Sequence, residues 1–154
     1  MQGGGKKEMK NPQPIIVYCD GLCEPNPGGW ATWGWIAVDA HGREISHAYG
    51  CLGHGPAMTN NKAEYEAVLQ VLRRAVEKDR SLDLRTDSRL VVEQILGHWQ
   101  VKTAHLYRLV AEGRSLLHRT CSTLLWVPRE DNHRADALTR KAYQEARSSK
   151  VESR

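Results

Sequence analysis

The stretch MTNNKAEYEAV, residues 58–68, decides the fold, because it begins a long amphipathic helix yet places a glutamate on the apolar face. At about 3.6 residues per turn, Val68, Val71 and Leu72 all lie within a quarter turn of Glu64. Burying an ionised carboxylate without a partner costs several kcal/mol or more. Glu64 therefore indicates either a cation beside the helix or a helix end that stays open to water.

The 154 residues suffice for one domain with one core. The chain has no apolar run of about 18 residues, and its N-terminal stretch has no hydrophobic centre. We therefore expect no membrane span, no secretory signal and a cytoplasmic location. Lysine and arginine outnumber aspartate and glutamate by 22 to 18, which suits a polyanionic partner without requiring one.

Hydrophobic periodicity predicts the element order βββαβααβα. The predicted strands are PIIVYCD, two segments around the His41-Gly42 turn, SLDLRTD and CSTLLWV. The predicted helices cover about 60–79, SRLVVEQILG, TAHLYRLVAEGRSLLHR and NHRADALTRKAYQEA. This order implies a mixed α/β sheet with helices on both faces. Residues 1–14 are predicted to form a flexible tail, 15–146 the domain and 147–154 a fraying C-terminal tail.

Four carboxylates are predicted to converge at one edge of this sheet. Asp20 and Asp87 end predicted strands, whereas Glu64 and Asp136 lie near the starts of predicted helices. In mixed α/β sheets, sites lie beyond the carboxyl ends of the parallel strands, where the following helices begin. Each acid alone also fits a turn or a helix-dipole partner. Together, however, four like charges would repel one another unless divalent cations neutralised them.

Oxygen-only ligands favour the hard ions Mg²⁺ or Mn²⁺. Two such ions about 4 Å apart can activate a water and stabilise the leaving oxygen of a phosphodiester. The residues alone therefore predict a metal-dependent enzyme of phosphoryl transfer.

Four segments, taken in order, resemble the sequence blocks of type 1 ribonuclease H: YCDGLCEPNPGGWATWGWIAV, MTNNKAEYEAV, LRTDSRLVVEQILG and WVPREDNHRADALTRKA. The resemblance implies a ribonuclease H-like fold with a five-stranded mixed sheet. It also implies endonucleolytic hydrolysis of the RNA strand of RNA/DNA hybrids, leaving 5′-phosphate and 3′-hydroxyl ends. The family's metal ligands, which hold two Mg²⁺ or Mn²⁺ ions, fall on Asp20, Glu64, Asp87 and Asp136.

The resemblance also implies a set of substrate contacts. Asparagines at three positions would reach the minor groove, a threonine would hold a phosphate, and backbone after Asp20 would sense the 2′-hydroxyl. Some of these residues also suit helix caps or turns. The expected substrate-binding residues are Gly21, Leu22, Cys23, Asn26, Thr59, Asn60, Asn61, Ser88 and Arg89.

Two features depart from the commonest pattern of the family. The loop VPREDN lacks the histidine that many members carry, and Arg129 stands seven residues before Asp136. This resembles a short-loop branch, in which Arg129 would act electrostatically because a guanidinium cannot serve as a base. The segment GHWQVKTAHLYRL is too short and too weakly basic to form the family's full basic protrusion.

Three hypotheses follow for the function. The first is a monomeric ribonuclease H that acts on RNA/DNA hybrids and has no membrane partner. The second is a nuclease of the same fold that also cuts double-stranded RNA. The third is a hybrid-binding module that has lost its chemistry, against which the presence of all four acids argues.

Overall fold

A computed structural model describes residues 13–152, so most of the predicted N-terminal tail lies outside the described residues. The strands are β1 Ile15–Glu24, β2 Trp30–Val38, β3 Glu44–His54, β4 Leu82–Thr86 and β5 Thr123–Trp126. The helices are α1 Asn60–Lys78, α2 Arg89–Ile95, α3 Ala104–Thr120 and α4 His133–Glu152, with a 3₁₀ turn at Arg129–Asp131. The predicted element order is confirmed.

The five strands form one mixed sheet in the order β3-β2-β1-β4-β5. Strand β2 is antiparallel to both β1 and β3, whereas β4 is parallel to both β1 and β5. The predicted mixed sheet is thus confirmed, with an antiparallel meander followed by strands reached through helices. Because β1, β4 and β5 run in the same direction, their carboxyl ends lie at one edge.

Helices cover both faces of the sheet. At Gly21 an added Cβ would lie 2.3 Å from the Ala63 carbonyl on α1, and at Gly34 it would lie 2.7 Å from Leu138 on α4. Gly34 pairs with Asp20, the neighbour of Gly21, and successive residues of a strand face opposite sides. Helices α1 and α4 therefore pack on opposite faces.

The larger core lies between the sheet and the helices α1, α2 and α3. Inside it the Tyr65 hydroxyl donates a 2.7 Å hydrogen bond to Gln94, which joins α1 to α2 and satisfies both buried polar groups. Fully buried apolar side chains belong to the same core as Tyr65, among them Cys19, Val68, Leu72, Leu84 and Val91. This packing holds the first turns of α1 and α2 against the strand ends.

Two predicted boundaries are wrong. Strand β1 does not end at Asp20 but continues to Glu24, because residues 21–24 pair with β2 after the pairing with β4 has stopped at Cys19. Helix α4 continues to Glu152 where a tail was predicted from residue 147, since no Gly or Pro interrupts the sequence after His133. Within residues 13–152, no helix is long and apolar enough to cross a membrane.

The contact between β1 and α1 predicts that Gly21→Ala lowers the free energy of unfolding by about 1–3 kcal/mol, because the new Cβ would overlap backbone atoms of Ala63. Urea denaturation measures the change. Gly53→Ala is the matched control, since its Cβ would meet only the flexible Met58 side chain at 3.5 Å. Equal stability of the two variants would contradict the predicted overlap.

Candidate active site

Three carboxylates meet at the edge where β1 and β4 stop pairing. One carboxylate oxygen from each of Asp20, Glu64 and Asp87 lies within 4.8 Å of the other two. Asp20 follows the last residue of β1 that pairs with β4, and Asp87 follows the last residue of β4. Glu64 comes from the second turn of α1. The structure thus brings together three of the four predicted acids.

The position of Glu64 depends on backbone contacts at the start of α1. The Gly21 N–H donates a 3.0 Å hydrogen bond to Glu64 Oε1. Thr59 is the N-cap of α1, and its hydroxyl accepts a hydrogen bond from the Lys62 N–H. The cap fixes where the helix begins, and the bond to β1 fixes the glutamate beside Asp20.

Asp136, in the first turn of α4, lies next to this trio. Its carboxylate is partly exposed and forms an ion pair with Arg140 at 3.1 Å. After burial and the charges of Glu64 and Asp87, the charge of Asp136 also contributes to the raised pKa of Asp20. Asp136 is therefore a more solvated carboxylate, adjacent to the buried trio, whose charge acts on Asp20.

Burial and mutual repulsion shape the protonation of the trio. Burial, followed by the charges of Glu64 and Asp87, raises the pKa of Asp20 to about 10. Burial and the charge of Asp87 raise the pKa of Glu64 to about 8, although the Gly21 N–H opposes this rise. Burial also raises the pKa of Asp87. Because the carboxylates repel one another, the site favours any partner that carries concentrated positive charge.

Arg129 lies close enough to the trio to act on it electrostatically. Its charge opposes the rise in pKa of both Glu64 and Asp87. The side chain itself is exposed and extends from the 3₁₀ turn that follows β5. Arg129 can therefore meet an anion that approaches the carboxylates from solvent.

A family model described as reverse transcriptase-like matches residues 18–142. Ribonuclease HI of Halobacterium salinarum is 35% identical over 86% of this chain, which spans 65% of that protein. Ribonuclease H of Phenylobacterium zucineum is 30% identical, with 89% of this chain and 95% of that protein covered. The chain belongs to the ribonuclease H family. The structure of this chain is similar to that of LC11-RNase H1 in complex with RNA/DNA hybrid, with a TM-score of 0.77. The two sequences are 30% identical, and the match covers 86% of this chain and 98% of the LC11-RNase H1 chain.

The donor set of this site fits divalent cations. All the clustered ligand atoms are carboxylate oxygens, which are the ligands of hard ions such as Mg²⁺ and Mn²⁺. The buried position of Asp20, which is 5% exposed, gives its charge little compensation from water. The buried carboxylates would therefore be more stable with a bound cation than without one.

Several of the predicted substrate-binding residues form a hydrogen-bonded surface beside the three clustered carboxylates. Asn60 Oδ1 accepts from the Cys23 N–H at 2.8 Å, and Asn26 Oδ1 accepts from the Asn60 N–H at 2.9 Å. These bonds connect β1, the β1–β2 loop and the start of α1. The N–H groups of Gly21 and Cys23 are thus already used within the protein, so their predicted contacts with substrate would have to involve other atoms.

A second predicted group surrounds Asp87. Ser88 is the N-cap of α2 and is buried, with its hydroxyl accepting from the Val91 N–H at 3.3 Å. Arg89 is exposed, pairs with Glu93 at 3.2 Å and lies 4.9 Å from the ring centre of Trp126. Ser88 therefore has a structural contact, whereas Arg89 faces solvent beside the site. Leu22 lies in β1 between Gly21 and Cys23, and Asn61 lies in the first turn of α1, where its side chain forms no hydrogen bond with the described residues.

Sequence reasoning missed two residues that contact the backbone beside the clustered acids. Asn132 is buried, and its amide donates to the Cys19 carbonyl at 2.9 Å. Burial raises the pKa of Asp87, and the Asn132 side chain partly opposes this rise. Trp126 donates through Nε1 to the Asp87 carbonyl at 3.2 Å. Asn132 suited a helix cap and Trp126 a strand residue, so neither pattern singled out a role at the site.

The raised pKa values predict that, in metal-free buffer, the site lowers the free energy of unfolding by an amount that depends on pH. Between about pH 4 and the raised native values, the native state binds more protons than the unfolded chain, so stability falls as pH rises. Asp20→Asn removes the largest contribution. Near pH 8, we expect the free energy of unfolding of this variant to exceed that of the parent by about 1 kcal/mol or more. Near pH 4, we expect the two free energies of unfolding to be nearly equal.

Chemical denaturation in excess chelator at several pH values measures this difference. Asp131→Asn is the control, because Asp131 is exposed on the 3₁₀ turn and outside the trio. A difference between Asp20→Asn and the parent that does not change with pH would contradict the electrostatic origin of the effect.

Proposed function

We propose that this chain is a metal-dependent endoribonuclease that hydrolyses the RNA strand of RNA/DNA hybrids. The observation that carries the proposal is the meeting of oxygens from Asp20, Glu64 and Asp87 at the edge where β1 and β4 stop pairing. Membership of the ribonuclease H family supports the reaction type. The hybrid bound by LC11-RNase H1 supports the substrate class.

Asp20, Glu64, Asp87 and Asp136 would hold two Mg²⁺ or Mn²⁺ ions. Bound there, the ions would supply Lewis-acid activation of the attacking water and stabilise the departing 3′ oxygen, which leaves 5′-phosphate and 3′-hydroxyl ends. The Gly21 N–H bonds the Glu64 carboxylate, and the Asn132 amide bonds the carbonyl of Cys19, the residue before Asp20, so the protein fixes these two positions. This preorganisation reduces the rearrangement required when the acids ionise.

The asparagine surface supplies donors for the RNA strand. The side-chain oxygens of Asn26 and Asn60 accept bonds from the protein backbone, which fixes the orientation of both amides. Their NH₂ groups form no hydrogen bond with the described residues and can donate to 2′-hydroxyl oxygens or base edges. With Asn61 beside them and the Thr59 hydroxyl at the helix start, this surface suits a ribose strand and its phosphates.

Arg129 and Arg89 would contact the substrate from the other side of the acids. Arg129 brings positive charge near Glu64 and Asp87, where the scissile phosphate would lie. Arg89 lies above Trp126, and the indole of Trp126 bonds the backbone of Asp87. Both guanidiniums are exposed, so a phosphate can reach them without rearrangement of the core.

Cleavage of three labelled substrates tests the proposal: an RNA/DNA hybrid, an RNA/RNA duplex and single-stranded RNA. We expect cleavage of the RNA strand of the hybrid in Mg²⁺ or Mn²⁺ and none in excess chelator. Equal rates on the hybrid and RNA/RNA would favour the broader nuclease. Binding of the hybrid without cleavage in either metal would favour the inactive binding module.

Asp87→Asn should lower the rate of hybrid cleavage by on the order of 100-fold or more, because it removes charge from the proposed ion site. Single-turnover cleavage with saturating enzyme measures the chemical step. Asp83 lies near the other end of β4, so Asp83→Asn is the matched control and should retain most of the activity. Full activity of Asp87→Asn would exclude the carboxylate mechanism.

Arg129→Ala should lower the rate roughly tenfold while leaving the affinity for Mn²⁺ nearly unchanged, because the guanidinium would act on substrate charge. Turnover and calorimetric titration with Mn²⁺ measure the two properties. Arg134→Ala is the matched control, since Arg134 is exposed and its guanidinium contacts Gly42. Unchanged turnover in Arg129→Ala would remove the proposed role.

A further inference from the structure

A cavity of about 340 Å³ lies at the end of α1 opposite to the carboxylates. Its lining comes from the first half of β1, from β2 and from the last two turns of α1. Val71, the first α1 residue in the lining, follows Glu64 by seven residues, or roughly 10 Å along a helix. The cavity is therefore separate from the proposed active site.

The cavity has apolar walls and a cationic mouth. Val17, Trp35 and Leu82 contribute buried apolar surface. Arg74, Lys78 and Arg80 also line it. A volume near 340 Å³ is at the lower end of the range of small-molecule sites, which are mostly apolar with a few polar groups.

Among the described residues, the three cations have no acidic partner. None of Arg74, Lys78 and Arg80 forms an ion pair with a carboxylate of residues 13–149. The negative end of the α1 dipole lies near Lys78 but carries only a fraction of a charge. Three neighbouring positive charges thus face a cavity without compensation from the described part of the chain.

One of these cations also has an unsatisfied buried donor. The Arg80 Nε–H is buried and has no hydrogen-bond partner within the part of the chain that the structure describes, although the same guanidinium donates to the Gln13 carbonyl at 3.2 Å. Leaving such a donor without an acceptor is costly. Arg74 is held in place differently, because its guanidinium lies 5.7 Å from the ring centre of Trp35. An acceptor with negative charge would satisfy the whole arrangement.

We propose that this cavity binds a small amphipathic anion, a molecule with an apolar body and one acidic group. The apolar body would lie against Val17, Trp35 and Leu82, and the acidic group would accept from Arg80 and contact Arg74 and Lys78. A neutral apolar molecule would leave the cations uncompensated, and a simple inorganic anion would leave the apolar walls exposed. The proposal is independent of the nuclease function.

The aromatic sulfonate 1-anilinonaphthalene-8-sulfonate is the probe for the test, because it combines both features and fluoresces when its ring leaves water. Titration of the full chain should give a saturable enhancement with one site per chain. Decanoate should displace the probe, whereas decanol and inorganic sulfate at the same concentrations should displace it at least roughly tenfold less effectively. Displacement by decanol or sulfate as effective as that by decanoate would overturn the proposal.

Two variants locate the probe. The double variant Lys78→Ala/Arg80→Ala should weaken binding roughly tenfold or more, whereas Arg134→Ala/Lys141→Ala, which removes the same charges from exposed positions of α4, should not. Ser46→Trp keeps every charge and should block binding by filling the cavity. Thermal unfolding followed by circular dichroism confirms that each variant is folded. Unsaturable binding, or binding that survives Ser46→Trp, would refute the site, even if the chain cleaves hybrids normally.

Discussion

The close approach of α1 to β1 at Gly21 determines where the acids of this protein lie. Any side chain at this position would overlap the Ala63 backbone, so the first turns of the helix can rest on the strand only because Gly21 has none. That approach lets the Gly21 N–H bond Glu64 and places its carboxylate beside Asp20. The geometry of the site thus begins as a packing constraint between two backbones.

The same packing makes the acids unfavourable neighbours in the absence of cations. Burial withdraws water from Asp20, and the charges of Glu64 and Asp87 oppose its ionisation. The fold tolerates this because the surrounding core is well packed and because Asn132 and Trp126 fix the backbone on either side. Ligand-binding sites typically contain charge repulsion that lowers the stability of the free protein, because binding of the ligand restores that stability.

Much of this arrangement could be predicted from the sequence, because its patterns are local. The 3.6-residue period identified Glu64 as an exception on an apolar face, and the order of elements placed Asp20 and Asp87 at one edge. The end of β1 was missed because it depends on pairing with β2, a contact between segments that periodicity does not describe. Asn132 was missed because its hydrogen bonds to distant residues exist only after folding.

Helix α1 has opposite electrostatic environments at its two ends, and the helix dipole offsets neither fully. The dipole places about half a positive charge near the start of α1, where three carboxylates meet, with Asp136 adjacent. If all four acids ionise, their total charge of about −4 equals in magnitude the charge of two divalent cations. The half charge at the start of the helix is too small to neutralise it. At the other end, about half a negative charge faces Arg74, Lys78 and Arg80. Each end therefore retains charge that a ligand of opposite sign would neutralise, a divalent cation at the first and an organic anion at the second.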